Sequence, residues 1–291
     1  MESKLFEYIQ NRFFMGVEKE LRKKNIDINA ANKFGNTALI EAVYIGDYDI
    51  VCSLLQVSGI DTEYKNTDSK STALLIASKL GHYSIVKKLI ELGSNKFSKD
   101  SEGRTSLMIS SSEGHLELVT YLLWSIYDNI QSMNSNEFME MINNTESTFA
   151  DDPKNCRKDY INCIDDNGFT ALMHAVHKGK FDIVKELLNK GANPNIHDHL
   201  GNSPIIEASY QNYIEIVKIL LKHESKINHK DRNGITALIE ASQSGHEDIV
   251  KILLQNGAAI NVQDKKQRTA LDYAQQKKYE TIVNMLRNHK N

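Results

Sequence analysis

The sequence predicts an all-α solenoid of stacked helix-turn-helix units joined by β-turn fingers. Three observations carry that prediction. The first is a phrase of 33 residues, 231–263, that the chain writes several times. Its Thr236 recurs as Thr37, Thr72, Thr105, Thr170, Ser203 and Thr269, in steps of 35, 33, 65, 33, 33 and 33. A fixed period in this range is the mark of a repeat architecture. The second is punctuation. Gly245 and its counterparts Gly46, Gly81, Gly114 and Gly179 close a short helix in the left-handed conformation, with Asn212 as a substitute. The third is the apolar set Ile249, Val250, Leu253 and Leu254, which lies on one face of a second helix.

Each part of the phrase has a physical job. Thr236 precedes the first helix, where its hydroxyl can accept an orphan backbone N–H. Pro204, after Ser203, suits a first helical position that needs no donor. Ala241, with Ala42, Ala77, Ala175, Ala208 and Ala274, is small where the two helices approach closely. Gly257 ends the second helix, as Gly93 and Gly191 do in their units. Asp231 with Gly234, like Asp100 with Gly103, Asp165 with Gly168 and Asp198 with Gly201, makes the tight turn between units.

Taken in order, residues 1–31 read as a capping unit. Leu5, Phe6 and Ile9 mark its first helix, and Phe14, Val17 and Leu21 its second; Glu7, Glu18, Glu20, Arg22 and Lys23 supply a polar outer face. Repeats follow at 32–65, 66–99 and 100–132. The first is stretched by two residues near 57–59, and the second has Lys70 where glycine is usual, which predicts a poorly formed finger. Leu118, Val119, Leu122, Leu123, Ile126 and Ile130 predict a long second helix in the third. The 65-residue step then makes 133–160 an insertion, with a short helix over 134–142 and a polar stretch holding Pro153. Proline in a helix interior costs about 3 kcal/mol, which argues against a decayed repeat there. Repeats resume at 161–197, 198–230 and 231–263, and 264–291 is a C-terminal cap with Leu271, Tyr273, Ala274, Ile282, Val283 and Leu286 facing in. The few apolar side chains of one unit cannot offset the ordering of its backbone, so stability rests on neighbour interfaces and the whole is expected to form one domain.

Six or seven units matching at several positions each make the pattern similar to the ankyrin repeat, a β-turn plus two antiparallel helices. The family's Thr-Pro-Leu-His is mostly Thr-Ala-Leu-Ile or Thr-Ala-Leu-Met here; no unit has the histidine, and only Ser203-Pro204 keeps the proline. The departure implies loss of a local hydrogen bond the family normally makes.

Composition narrows the function classes. The net charge is −3 and the pI about 6.4, so no overall basic field points to nucleic acid or a membrane surface. Three cysteines, Cys52, Cys156 and Cys163, form no even framework, which fits a reducing compartment. The first residues lack an apolar signal core and no run approaches a membrane helix in length. A cytoplasmic monomer is the expectation, with delivery to another cell by a specialised secretion route that reads other signals as the alternative.

No catalytic constellation stands out. His223, Glu224 and His229 superficially suggest a metalloprotease helix, but the histidines are six apart across a helix end, where that motif needs four. His197 and His199, with His174 and His177 one unit earlier, lack a partner at ligand spacing, so they read as exposed finger and helix residues. Ser84 and Lys87 lie on a helix whose Ile85 and Val86 are core, and no phosphate-binding glycine loop or nucleophile elbow occurs. No metal, cofactor or catalytic residue is expected.

What remains is surface. The family resemblance implies that a protein partner binds the finger tips and the concave face of the first helices. The fingers carry Phe34, Phe169, Leu200 and Ile235, apolar residues with no core role in the pattern, and Arg232 joins Lys230, Lys265, Lys266 and Arg268 in making the last tips basic. The variable offsets of the first helices hold Tyr44, His177, Tyr210 and Gln243 beside Glu41, His174, Glu207 and Glu240. Aromatic side chains among charges are the chemistry of interface anchors. The chain is thus expected to be a non-enzymatic protein-binding module. The alternative is a scaffold for an effector or ligand-binding activity in the 133–160 insertion, such as that of a secreted, host-targeted protein.

Overall fold

The computed structural model describes residues 4–23, 26–132 and 160–289, and the chain divides into two compact units, Met1–Arg157 and Lys158–Asn291. In the first unit the helices are α1 Lys4–Gln10, α2 Phe14–Leu21, α3 Ala38–Ile45, α4 Tyr48–Leu55, α5 Ala73–Leu80, α6 Tyr83–Glu91, α7 Ser106–Glu113 and α8 Leu116–Ser132. The second unit holds α9 Ala171–His177, α10 Phe181–Asn189, α11 Pro204–Tyr210, α12 Ile214–Lys222, α13 Ala237–Ser244, α14 Glu247–Gln255, α15 Ala270–Lys277 and α16 Glu280–Asn288. Odd-numbered helices are the first of each hairpin and even-numbered ones the second. Within each unit, odd stacks on odd and even on even. Among the described residues there is no strand, only an isolated bridge between Ala31 and Thr37. None of those helices is long and apolar enough to cross a membrane. Residues 133–159, with the expected 134–142 helix and most of the expected insertion, lie outside the described residues; Tyr160, its last residue, is buried, as is Ile161.

The repeated threonines start the odd helices as expected. Thr37, Thr72, Thr105, Thr170, Thr236 and Thr269 each accept the backbone N–H three residues on, at 3.2–3.5 Å. Ser203 does not. Its hydroxyl is buried without a partner, and the Ile206 N–H bonds the Ser203 carbonyl instead at 3.0 Å. In the repeats the family's histidine offset is filled by Ile40, Leu75, Met108, Met173, Ile206 and Ile239, all buried, so apolar side chains pack there. In the last unit it holds Asp272, which accepts the Thr269 N–H and hydroxyl, both at 2.7 Å. The six alanines at the helix crossing are fully buried. Between neighbouring hairpins, the His115 and His246 rings each donate to the last turn of the preceding odd helix, at the Lys79 and Tyr210 carbonyls (both 3.0 Å). Arg12 reaches the other way, donating to the Ile45 carbonyl at the end of the following odd helix at 2.8 Å.

Two expectations need correcting. In α2 the inward face is Gly16, Val17 and Glu20, whereas Phe14 is exposed and Leu21 half-buried. The repeat register explains this, because Gly16 and Glu20 fall where other units have Ile and Leu. A side chain at 16 would strike the Phe13 and Tyr8 rings, which meet edge to face at 5.5 Å. Glu20 is held by the Lys23 ammonium at 2.6 Å. The finger at 66–71 is also well formed. Lys70 adopts the left-handed conformation itself (φ 53°), and Asn66 Oδ1 accepts from the Ser71 and Ser69 N–H groups at 2.9 and 3.3 Å. Asparagine thus does the work of the usual aspartate, and the lysine bears a strain that glycine would avoid.

Candidate protein-docking face

In the second unit the fingers are built from one carboxylate each. Oδ1 of Asp165, Asp198, Asp231 and Asp264 accepts the N–H groups two and four residues on, at 2.7–2.9 Å. Adjacent fingers are then tied by backbone. His199 N–H donates to the Asn167 carbonyl (3.0 Å), Arg232 to Leu200 (2.9 Å) and Lys265 to Asn233 (2.8 Å). The side chains at finger offsets are therefore carried on a hydrogen-bonded ladder rather than on loose loops.

The second oxygen, Oδ2, is where the units differ. His174 holds that of Asp165 at 2.9 Å. Burial alone would push the Asp165 carboxyl up, but the His174 ring and the Phe169 and Asn167 N–H groups together bring it below its ordinary value. Asn202 donates to Asp198 at 3.0 Å. At Asp264, Tyr273 donates at 2.7 Å and the Arg268 guanidinium at 3.0 and 3.2 Å, while Arg268 also bonds the Tyr273 hydroxyl and stacks on its ring. Burial again opposes ionisation there, but these bonds and the Arg268 and Lys266 N–H groups outweigh it and hold Asp264 at about 2. Burial and the Asp264 carboxylate push the Tyr273 hydroxyl up to about 12. At Asp231 the only donor to Oδ2 among the described residues is the Asn233 amide, at 3.4 Å.

Several of the expected surface residues come together. Phe169 lies against the His174 ring (5.4 Å between centroids) and edge to face with His177 (6.2 Å). His177 Nδ1 meets Glu207 Oε1 of the next hairpin at 2.8 Å, and Gln211 donates to the same oxygen at 3.0 Å. Phe169 is half-buried and lines a shallow cleft with Met173, Asp198, Asn202, Pro204 and Glu207, so it has a packing role that its offset alone did not announce. His174 is half-buried rather than an exposed residue. Leu200, 63% exposed, and Tyr210, 54% exposed, stand open; Arg232 is exposed, while Ile235, Glu240 and Gln243 are half-buried. Glu240 takes a hydrogen bond from Ser244 at 3.4 Å. In the first unit, Phe34 is an exposed finger tip under the Lys33 ammonium, and Tyr44 is exposed on α3. Burial, then Asp68 and Glu41, raise the Tyr44 hydroxyl.

One surface feature escaped sequence reasoning. Tyr83, Tyr121 and Trp124 form an aromatic row on α6 and α8, with ring centroids 5.5 and 5.9 Å apart and Trp124 53% exposed. The signal was present as aromatics on the face opposite Leu118, Val119 and Leu122. Stacked His197 and His229 rings, 5.2 Å apart, each donate to a backbone carbonyl, of Asp198 and Gly201 respectively. Among the described residues no three His, Cys, Asp or Glu side chains gather as a metal-ligand set.

A family model described as ankyrin repeats in three copies matches residues 41–134, 143–231 and 225–291, and a second, of many copies, matches 19–55. The chain belongs to the ankyrin-repeat family. Ankyrin repeats are generally non-enzymatic interaction domains, and the chain's relatives carry them within larger proteins. It is 29% identical over 172 residues to the E3 ubiquitin-protein ligase XBAT33 of Arabidopsis thaliana, covering 58% of this chain and 32% of the ligase. It is 29% identical over 163 residues to the ankyrin repeat and KH domain-containing protein mask-1 of Caenorhabditis elegans (55% of this chain, 6% of that protein). It is 27% identical over 165 residues to the glycerophosphocholine phosphodiesterase GDE1 of Candida albicans (55% of this chain, 11% of that protein). The chain thus spans a third or less of the length of each of these three relatives.

Proposed function

We propose that this chain works as a non-enzymatic protein-binding module, with the fingers and odd helices of the second unit as its docking face. The observation that carries the reading is the placement of Leu200 and Tyr210. Two large side chains stay more than half exposed while the backbone carbonyl of each is tied to the next unit, that of Leu200 to the Arg232 N–H at 2.9 Å and that of Tyr210 to the His246 ring at 3.0 Å. Exposed aromatic and aliphatic anchors on a rigid base lose little freedom on binding, which is how a few residues come to dominate an interface. The ligase and phosphodiesterase named among the relatives match over a minority of their own length, so their activities give no reason to assign chemistry to these repeats.

The test is capture of a protein partner by the full chain against a variant with Leu200, Tyr210 and Ile235 all changed to alanine. The variant should keep its helical signal and lose the partner. Undiminished capture by a folded variant would remove the docking face from these residues.

A further inference from the structure

We propose that the docking face around α11 and α13 takes a basic side chain. The partner segment would place an arginine or lysine among Glu207, Glu240 and Asp231, with apolar neighbours on Tyr210 and Leu200. This rests on the protein-binding reading above and adds the partner's chemistry.

The argument comes from comparing the repeats with one another. Four finger aspartates receive a donor on Oδ2 at 3.0 Å or closer: Asp100 from Arg104, Asp165 from His174, Asp198 from Asn202, and Asp264 from Arg268 and Tyr273. These donors sit four or nine residues after the aspartate. At Asp231 those two offsets hold Ile235 and Glu240, an apolar side chain and a second acid. Among the described residues no cation replaces the missing donor, and the Asn233 amide is at 3.4 Å. Glu240, again among the described residues, takes only the Ser244 hydroxyl. Both hydrogen bonds to Glu207, from His177 and Gln211, fall on Oε1, which leaves Oε2 without a donor among the described residues. Burial, with Asp231 and Glu207 adding to it against Ser244 and His246, raises the Glu240 carboxyl above its ordinary value. Like charges held together in partial burial are unfavourable until an opposite charge enters.

The surroundings say what kind of cation fits. Tyr210 is open three residues after Glu207 on the same helix, Leu200 is open on the finger bonded to Arg232, and Ile235 is half-exposed between Asp231 and Glu240 in sequence. A guanidinium presents five donors in a plane, enough to bridge two carboxylates, and its face can lie on a tyrosine ring. A hydrated inorganic cation would gain nothing from Tyr210 and Leu200. The outer finger tips carry the opposite sign, since Arg232, Lys265 and Lys266 are all exposed. A segment with its basic residue inward and acidic residues toward these tips matches both charges, and such a two-sign pattern fixes orientation as well as sign.

The probe is a displayed library of random peptides selected against the full chain, with binders measured by fluorescence polarisation. Selected peptides should share an arginine or lysine flanked by apolar residues. Binding should weaken about tenfold or more in the isosteric double variant Glu207→Gln and Glu240→Gln, and also when ionic strength is raised from tens to hundreds of millimolar. Replacing the peptide's basic residue with glutamine should cost wild type the same factor and the double variant little, the coupling expected of residues in contact. Helical circular dichroism verifies that the variant folds. Peptides with no basic residue in common, or binding indifferent to the double variant, would overturn the proposal. If such peptides are still lost on changing Leu200, Tyr210 and Ile235 to alanine, the docking face stands and only its charge preference falls. If they survive that change, or if no peptide is selected, both fall.

Discussion

Replacing Gly201 with alanine should cost this protein far more than the same change at Gly257, although both glycines have nearly the same backbone (φ 85° and 82°). A residue with a side chain in the left-handed region costs about 1–2 kcal/mol, offset by roughly 0.4–1 kcal/mol of chain entropy removed from the unfolded state. At Gly257 nothing lies within 4 Å of the added carbon, so the net loss should be about 1 kcal/mol. At Gly201 that carbon would sit 2.8 Å from the Arg232 nitrogen and 3.1 Å from Asp231 Cα and carbonyl carbon, all backbone of the next finger. Backbone cannot swing aside, so the fingers must part and stretch the Arg232-to-Leu200 hydrogen bond (2.9 Å). Losing that bond costs about 1 kcal/mol and the overpacking about 1–3 kcal/mol more, so Gly201→Ala should lose about 3 kcal/mol beyond the loss at Gly257. Urea unfolding of the two full-length variants, followed by circular dichroism, measures the difference. Equal losses, or a larger one at Gly257, would refute the idea that the fingers stand in close register.

The caps offer an internal contrast. Thr236→Ala should lose about 1 kcal/mol in thermal or urea unfolding, because Thr236 bonds the Ile239 N–H. Ser203→Ala at the same offset should stay within about 0.5 kcal/mol of wild type or gain, since its buried hydroxyl has no partner to lose. Glu240 has a raised pKa when folded, so it binds protons the unfolded chain has released; its ionised form opposes folding above that pKa, and the penalty vanishes below the ordinary value of 4.5. Glu240→Gln should therefore raise the melting temperature at pH 7 but not at pH 4, while weakening partner binding. Asp264 has the opposite sign. With its folded pKa at about 2 against 3.8, its stabilisation is complete above about pH 4 and lost as pH falls toward 2, so Asp264→Asn should flatten the acid side of the stability profile followed by circular dichroism.

The fold was legible because its signals are local and repeated. A threonine cap, a left-handed stop and an apolar pair each act over three or four residues, and six repetitions make coincidence implausible. Gly16 and Glu20 misled because a capping unit keeps the register of the repeat while changing its residue types. Lys70 misled for a related reason: Asn66 closes the turn with its own side-chain oxygen, so the glycine is a convenience there rather than a requirement. The docking face was legible as a set of offsets but not as a network. His177 reaches Glu207 thirty residues on, which depends on how hairpins stack, and Phe169 is covered by two histidines of the following helix, which depends on how the finger folds back on its own unit. That Asp231 Oδ2 has only a long bond from Asn233, with Glu240 at the offset where Asp165 and Asp264 find a donor, emerges only when each finger's second oxygen is compared with its counterparts among the described residues.

Hydrogen exchange of the full chain, with and without a bound protein partner, tests the central claim most directly. Slowed exchange along the finger backbone near Leu200 and Arg232 and along Pro204–Tyr210 and Ala237–Ser244 is the predicted result. Protection confined to the even helices Ile214–Lys222 and Glu247–Gln255, with those fingers unchanged, would contradict it.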